Sequence, residues 1–162
     1  MNIVTYPDPI LTTPTMDIVK VQYSHVELAL KMHEKQKELG AVGLAANQVG
    51  VSKSIVVIHP HPTSPVLFMI NPKILSYAGV LIDSYEGCVS IPGKMFHVKR
   101  FPEITVRYTD LAGFRRQETL TGFIALVAQH EIDHLKGITL FDKEKQYDRL
   151  NNRDASTTST AR

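Results

Sequence analysis

Residues 129–137 read QHEIDHLKG and contain two histidines, His130 and His134, with a glutamate directly after the first. On an α-helix this four-residue spacing places both imidazoles on one face, about one turn apart, where they can share a metal ion. The same geometry puts Phe123, Leu126 and Val127 beside the histidines. The pattern therefore predicts a metal site on a helix, bordered by an apolar slot that these three side chains line.

The identity of the third ligand separates the possible chemistries. The metzincin protease pattern, H-E-x-x-H-x-x-G-x-x-H, would need a histidine where this chain has Leu140. Thermolysin-like proteases use a glutamate from a later helix, but the only glutamate after His134 is Glu144, in a short polar segment. Cys88, the one cysteine of the chain, is the better candidate. A Cys/His/His site leaves a fourth position for water, which is typical of catalytic centres.

The composition is that of a globular domain. The chain has 162 residues, of which 43% are hydrophobic and 21% charged, enough for one sizeable core. The net charge is only +2, and there is no dense basic block, so direct nucleic-acid binding is not expected. No apolar run reaches the roughly twenty residues of a membrane span. A single cysteine excludes an internal disulfide and fits a reducing compartment.

Local patterns predict an α+β fold, with antiparallel sheets packed around a central helix that carries the H-E-x-x-H ligands. That helix should run from Phe123 to Lys136, and an earlier one should lie between Ser24 as N-cap and Gly40. Segments rich in β-branched and aromatic residues are predicted as strands: 54–59, 66–71, 74–82, 103–110 and 114–122. The last two should form a hairpin. We expect one catalytic domain over 1–147, followed by a polar, mobile tail over 148–162.

Three stretches can be read together: AVGLAANQ at 41–48, EGCVS at 86–90 and QHEIDH at 129–134. In this order they resemble the motifs of the peptide deformylase family, G-x-G-L-A-A-x-Q, E-G-C-L-S and Q-H-E-x-D-H. The resemblance implies an enzyme that removes the formyl group from the N-terminal formylmethionine of newly made polypeptides and releases formate.

The resemblance also implies roles for individual residues. It makes three side chains the metal ligands: Cys88, His130 and His134. Glu131 would be the general acid and base, while the side-chain amide of Gln48 and the backbone N–H of Val89 would hydrogen-bond the formyl oxygen. Gly43 would offer main-chain contacts to the substrate, and Val42 would join the apolar slot for the methionine side chain.

Other motif positions would support the site. Glu86 and Arg100 fall where the family has supporting residues near the substrate, and Gln129 should brace the loop that carries Cys88. Ala41 replaces the first glycine of the first motif, with little effect expected, because Gly43 remains. Met95 stands where some members have an arginine near the substrate, which affects peptide preference rather than the reaction.

A Cys/His/His site accepts several first-row divalent ions. The resemblance points to one divalent ion, Fe²⁺ in the cell, with Zn²⁺, Ni²⁺ or Co²⁺ as substitutes. Expected partners are N-formylmethionyl nascent peptides. A contact with the ribosome is suggested only by the fact that such substrates are nascent chains. A cytoplasmic location is expected, because the N-terminus lacks signal-peptide and transit-peptide features. Two alternatives remain: a metallopeptidase that cleaves internal amide bonds, and a peptide-binding protein without turnover.

Overall fold

A helix of 14 residues, α2 (Gly122–Leu135), lies against a five-stranded antiparallel sheet. The structure is a computed structural model that describes residues 1–157. Two further helices are α1 (Tyr23–Leu39) and α3 (Leu140–Thr157). The strands are β1 (Gly43–Ala45), β2 (Ile55–Ile58), β3 (Leu67–Ala78), β4 (Ile82–Cys88), β5 (Ile91–Arg100), β6 (Glu103–Thr109) and β7 (Arg115–Thr121). Short 3-10 helices span Pro9–Thr12 and Ala46–Val49.

The larger sheet has the strand order β1-β2-β3-β6-β7, and β4 and β5 form a separate two-stranded sheet. All of these pairs are antiparallel, which confirms the predicted fold class. The predicted hairpin is confirmed as well, since β6 and β7 pair from Glu103 opposite Thr121 to Thr109 opposite Arg115.

Two predicted strands, 66–71 and 74–82, are largely one strand, β3. Asn71-Pro72 suggested a break between them, because proline has no N–H to donate to a neighbouring strand. The strand absorbs this pair through register shifts against β6, the first of them between Ile70 and Lys73. Asn71 has a φ of 51°, and its side chain bonds both the N–H and the carbonyl of Ile18. That side-chain pairing ties β3 to the N-terminal segment at the irregularity.

Apolar burial fixes the position of α2. Its residues Ala125, Ala128 and Ile132 are at most 1% exposed and pack against the larger sheet, beside Val56 and Val106. Full burial of a side chain as large as that of Ile132 stabilises a fold by about 1.5–3 kcal/mol. The buried face holds the helix rigidly, so the two histidines on an adjacent face have fixed positions.

Two boundaries differ from the prediction. The first turn of α1 is capped by Gln22 rather than Ser24, and the Gln22 N–H donates to His25 Nδ1 over 3.1 Å. The C-terminal boundary at 147 lies inside α3, which continues to Thr157. Near its start this helix buries Leu140 and packs Phe141 edge-to-face with Phe96, with ring centroids 5.0 Å apart. Residues 158–162 lie outside the described residues.

Within residues 1–157, no helix combines the length and the apolar character that a membrane crossing requires.

Candidate metal centre

The three predicted ligands converge on one point. Cys88 ends β4, and both histidines project from α2. His134 Nε2 lies 3.2 Å from Cys88 Sγ and 3.2 Å from His130 Nε2, and one ligand atom from each residue falls within 4.8 Å of the others. Tetrahedral metal sites with bonds of about 2.0 Å to nitrogen and 2.3 Å to sulfur bring their ligand atoms to similar separations. The donor set therefore fits one divalent cation.

The protonation of the two imidazoles bears on cation binding. Burial lowers the pKa of His134 well below its ordinary value, which keeps this ring neutral. Burial also lowers the pKa of His130, but its hydrogen bonds with Cys88 and Glu86 outweigh this and raise the value to about 10. An imidazole must be neutral to offer its lone pair to a metal ion. A cation at this point therefore competes with a proton on His130.

A chain of ion pairs lies behind His130. Its Nδ1 is 2.9 Å from Glu86 Oε2, and Arg100 donates to the same carboxylate from Nε over 3.0 Å and from Nη2 over 2.9 Å. Arg100 also bonds Asp133 on α2. Burial raises the pKa of Glu86, but the hydrogen bonds from His130 and Arg100 more than offset this and hold it well below its ordinary range. The carboxylate is thus charged and fixes the His130 ring.

We expect Arg100→Met to reduce the free energy of unfolding by about 3–5 kcal/mol at neutral pH, because it removes the buried cation that two part-buried carboxylates, Glu86 and Asp133, share. Arg100 is 2% exposed, whereas Arg116, paired with Asp110, is 53% exposed. Arg116→Met is the matched control and should cost less than about 1 kcal/mol. Denaturant unfolding of both variants measures the difference.

The pH dependence of this loss has a definite sign. Because the folded-state pKa of Glu86 is depressed, the wild-type carboxylate contributes stability at a pH above its unfolded pKa and loses it as the pH falls through the folded value. The deficit of Arg100→Met should therefore shrink in acid. Equal losses in the Arg100 and Arg116 variants would show that the buried chain is not what stabilises this region.

Glu131 follows His130 on α2 and faces the cleft. It is 4% exposed, and its Oε2 has no hydrogen-bond partner among the described residues. Burial raises the pKa of this carboxyl to about 7, with His130 acting in the opposite direction. A Cβ at Gly43 would overlap the Glu131 carboxylate, so the position requires glycine. A carboxyl with such a pKa can accept and release a proton near neutral pH.

Gln48 lies within the 3-10 helix Ala46–Val49 and is 1% exposed. Its Oε1 accepts the Ala45 N–H over 2.8 Å, which orients the amide. Its Nε2 then lies 3.3 Å from Cys88 Sγ and 3.3 Å from Ser90 Oγ. An N–H donor is thereby fixed beside one metal ligand, where it can reach an oxygen of a bound substrate.

Gln129 does not have the predicted role. Its Oε1 accepts the Phe101 N–H over 3.1 Å, and its Nε2 donates to the carbonyls of Phe101 and Ala125 over 2.8 and 2.9 Å. It therefore braces the connection between β5 and β6, not the loop that carries Cys88. The residue lies about 100° around the helix from His130, so its side chain points to a different neighbour.

A cleft of about 540 Å³ opens beside the ligands. All six predicted substrate-contact residues line it: Val42, Gly43, Glu86, Phe123, Leu126 and Val127. Phe123 is 58% exposed at the rim, whereas Val127 is 6% exposed. Val89 and Ala41 line it as well, and Ala41 has no positive φ, so the family glycine is not needed there.

Two residues that support the site were not predicted from the sequence. Asp133 pairs with Arg100, and Asn47 donates to the carbonyl of His134. A buried carboxylate needs a cation, so a cationic partner for Asp133 could have been predicted. The contact of Asn47 could not have been predicted, because its partner is a backbone atom distant in sequence.

Comparisons with known proteins agree with this geometry. The family model described as polypeptide deformylase matches residues 1–150. A peptide deformylase of Aquifex aeolicus is 40% identical over 152 residues, covering 91% of this chain and 89% of that protein. The peptide deformylase of Synechococcus elongatus in complex with actinonin superposes with a TM-score of 0.85 at 33% identity, over 89% of this chain and 78% of that one. A Met-Ala-Ser-bound peptide deformylase of Acinetobacter baumannii gives 0.83 at 28% identity, over 88% and 97%.

The family model spans nearly the whole chain, and the identity to Aquifex aeolicus peptide deformylase extends over most of both proteins. Both lines of similarity include the residues that form the metal centre and its cleft. The chain therefore belongs to the peptide deformylase family, metal-dependent hydrolases that remove the formyl group from N-terminal formylmethionine.

Proposed function

We propose that Cys88, His130 and His134 hold the single divalent ion with which this deformylase acts on N-formylmethionyl ends of newly made polypeptides. The observation that carries the proposal is the convergence of the three ligand atoms within 4.8 Å, at a cleft that Glu131 and Gln48 also line. One set of residues thus offers metal ligands, a proton carrier and an amide donor around the same space.

The ion, when bound, acts as a Lewis acid and makes water acidic enough to supply a nucleophile near neutral pH. Thiolate and imidazole donors suit late first-row divalent ions. We propose Fe²⁺ as the ion in the cell, with Zn²⁺, Ni²⁺ or Co²⁺ as substitutes. Glu86 would hold His130 in position through the Nδ1 contact of 2.9 Å, so that Nε2 faces the ion.

Glu131 would move the protons. Its unpartnered Oε2 is available to take a proton from the attacking water, and the same carboxyl would then pass the proton to the nitrogen of the leaving amine. A pKa of about 7 suits both steps, because neither direction of transfer is then strongly uphill at neutral pH.

Gln48 and the backbone N–H of Val89 would bind the formyl oxygen as negative charge develops on it. The hydrogen bond from Ala45 already orients the Gln48 amide, so little reorganisation is needed during the reaction. One such donor typically lowers the barrier by about 3–4 kcal/mol. We propose that these donors border a recess that fits the formyl hydrogen but not a methyl group; both residues line the cleft.

The methionine side chain would occupy the apolar slot formed by Val42, Phe123, Leu126 and Val127. Full burial of a methionine side chain contributes about 2–3 kcal/mol. The backbone of Gly43, with Glu86 nearby, would align the peptide. The Met-Ala-Ser-bound Acinetobacter baumannii relative supports a short peptide starting with methionine as the ligand.

Formate release tests the proposal. We expect kcat/KM for formyl-Met-Ala-Ser to exceed that for formyl-Ser-Ala-Ser by about 30- to 150-fold, the ratio that 2–3 kcal/mol of side-chain burial gives. Acetyl-Met-Ala-Ser should not be cleaved, because the acetyl methyl group is too large for the recess. Casein digestion without formate release would instead favour a metallopeptidase, and peptide binding without formate release would favour a binding protein.

We also propose that residues 1–147 form one catalytic domain. The protein would act in the cytoplasm, on chains that emerge from the ribosome. The ligand role of Cys88 requires a reduced thiolate, which a reducing compartment maintains. Ribosome contact follows from the substrate alone, because formylmethionine ends are exposed on nascent chains.

A further inference from the structure

The carbonyl groups at the end of α2 are held by side chains from distant segments. Asn47, within the 3-10 helix Ala46–Val49, is 0% exposed, and its Nδ2 donates to the His134 carbonyl over 2.6 Å and to the Ile10 carbonyl over 3.4 Å. The next carbonyl, that of Leu135, accepts from the Thr15 backbone N–H over 2.9 Å and from Thr15 Oγ1 over 3.1 Å. A buried amide is therefore attached directly to the residue that carries one proposed metal ligand.

Two buried polar atoms near this contact have no hydrogen-bond partner among the described residues. They are Asn47 Oδ1 and His134 Nδ1. His130 differs, because its Nδ1 contacts Glu86. Orphaned polar atoms are uncommon in protein interiors and costly, so this pair requires an explanation.

The two atoms are chemically complementary. A neutral imidazole that offers its Nε2 lone pair to a cation carries its proton on Nδ1, which makes that nitrogen a donor. Metal-bound histidines almost always donate this N–H to an oxygen acceptor, which fixes the ring orientation. Asn47 Oδ1 is an acceptor on a side chain whose other end already bonds the backbone of His134.

We propose that Asn47 is a positioning residue for His134, fixing its backbone through Nδ2 and its ring through one water that bridges Oδ1 and the ring Nδ1. This inference rests on the proposed role of His134 as a metal ligand. Because Asn47 directly precedes Gln48, the same side chain also ties the segment that carries the amide donor to the helix that carries the ligands. Its loss should disturb both.

The test compares Asn47→Leu, which has a similar shape without polar atoms, with Thr15→Val. The latter removes the hydroxyl bond to the Leu135 carbonyl and the hydroxyl contact with Ser54, keeps the backbone N–H bond to the same carbonyl, and leaves the contacts of His134 untouched. In Co²⁺-loaded proteins, Asn47→Leu should release the metal to a chelator about 10- to 100-fold faster than wild type, with an altered Co²⁺ absorption spectrum. Thr15→Val should match the wild type in both. Identical release and spectra in the two variants would overturn the inference.

Nitrogen-15 NMR of the wild-type Zn²⁺ protein provides a second measurement if Asn47→Leu does not fold. We expect a His134 Nδ1–H that exchanges slowly with water, as a buried hydrogen bond requires. An Nδ1 without a proton, or a fast-exchanging one, would contradict the proposal. A wild-type protein that takes up no metal would overturn the ligand assignment as well, whereas metal binding that is insensitive to Asn47 would overturn only this inference.

Discussion

Glu131→Gln should lower kcat/KM for formyl-Met-Ala-Ser by about 10²–10⁴-fold, the usual contribution of a positioned acid–base group, and should keep the metal. Glutamine has nearly the same shape as glutamate, so it fits the space against Gly43 that excludes a Cβ. It cannot accept the proton of water or return one to the leaving amine. Metal content and formate release, measured on the same sample, separate this loss from loss of the ion.

The pH profile gives an independent check on Glu131. Burial raises the pKa of this carboxyl to about 7, and a nearby cation would lower it. Because the unprotonated form is the base, the wild-type rate should fall as the pH drops through a value at or below about 7. That acid limb should be absent in Glu131→Gln. Glu144→Gln, which removes a surface carboxylate paired with Lys94, should retain the wild-type rate and profile. Full activity in Glu131→Gln would contradict the assignment.

Cys88→Ala should abolish stoichiometric metal binding and with it formate release. Changes in groups that only orient a metal ligand typically cost 10–100-fold in affinity, and we expect loss of a ligand to cost more than about 100-fold. The thiolate is also the only ligand of the three that brings a negative charge, so its loss removes the strongest electrostatic attraction for a cation. Metal content after dialysis and formate release measure both effects.

Ser90→Ala is the matched control for Cys88→Ala. Ser90 is 1% exposed, lies two residues from Cys88 and also contacts the Gln48 amide, over 3.3 Å, but it is not part of the ligand group. We expect its metal content to equal that of the wild type. If Ser90→Ala lost the metal to the same extent as Cys88→Ala, the effect would come from distortion of the bend rather than from the missing thiolate.

The sequence predicted the metal helix well, because spacing along a helix is local. Two histidines four residues apart lie on the same face of any helix. The same geometry predicted that Phe123, Leu126 and Val127 lie beside them, and all three line the cleft. Cys88 could be identified because it is the only cysteine in the chain. Its contact with His134 depends on how β4 is placed relative to α2. That placement is a tertiary feature, which local sequence patterns do not predict.

The features that the sequence did not predict correctly are those that depend on tertiary contacts. Separate strands were predicted over 66–71 and 74–82, yet the chain forms one strand, β3, which pairs with β6 through register shifts, and Asn71 bonds Ile18 across 53 positions. Gln129 was assigned to the wrong neighbour, since its direction depends on where Phe101 lies. Helix α3 was not predicted, because polar composition alone does not distinguish an exposed helix face from a tail.

The central claim is that one ion, held by Cys88, His130 and His134, is required for formyl removal. The most direct test is to add Fe²⁺ or Ni²⁺ stepwise to metal-free protein without oxygen and to measure formate release from formyl-Met-Ala-Ser at each step. We expect activity to rise in proportion to bound metal and to reach its plateau at one ion per chain, with no rise in Cys88→Ala. Activity in the metal-free protein, or an equal response in Cys88→Ala, would contradict it.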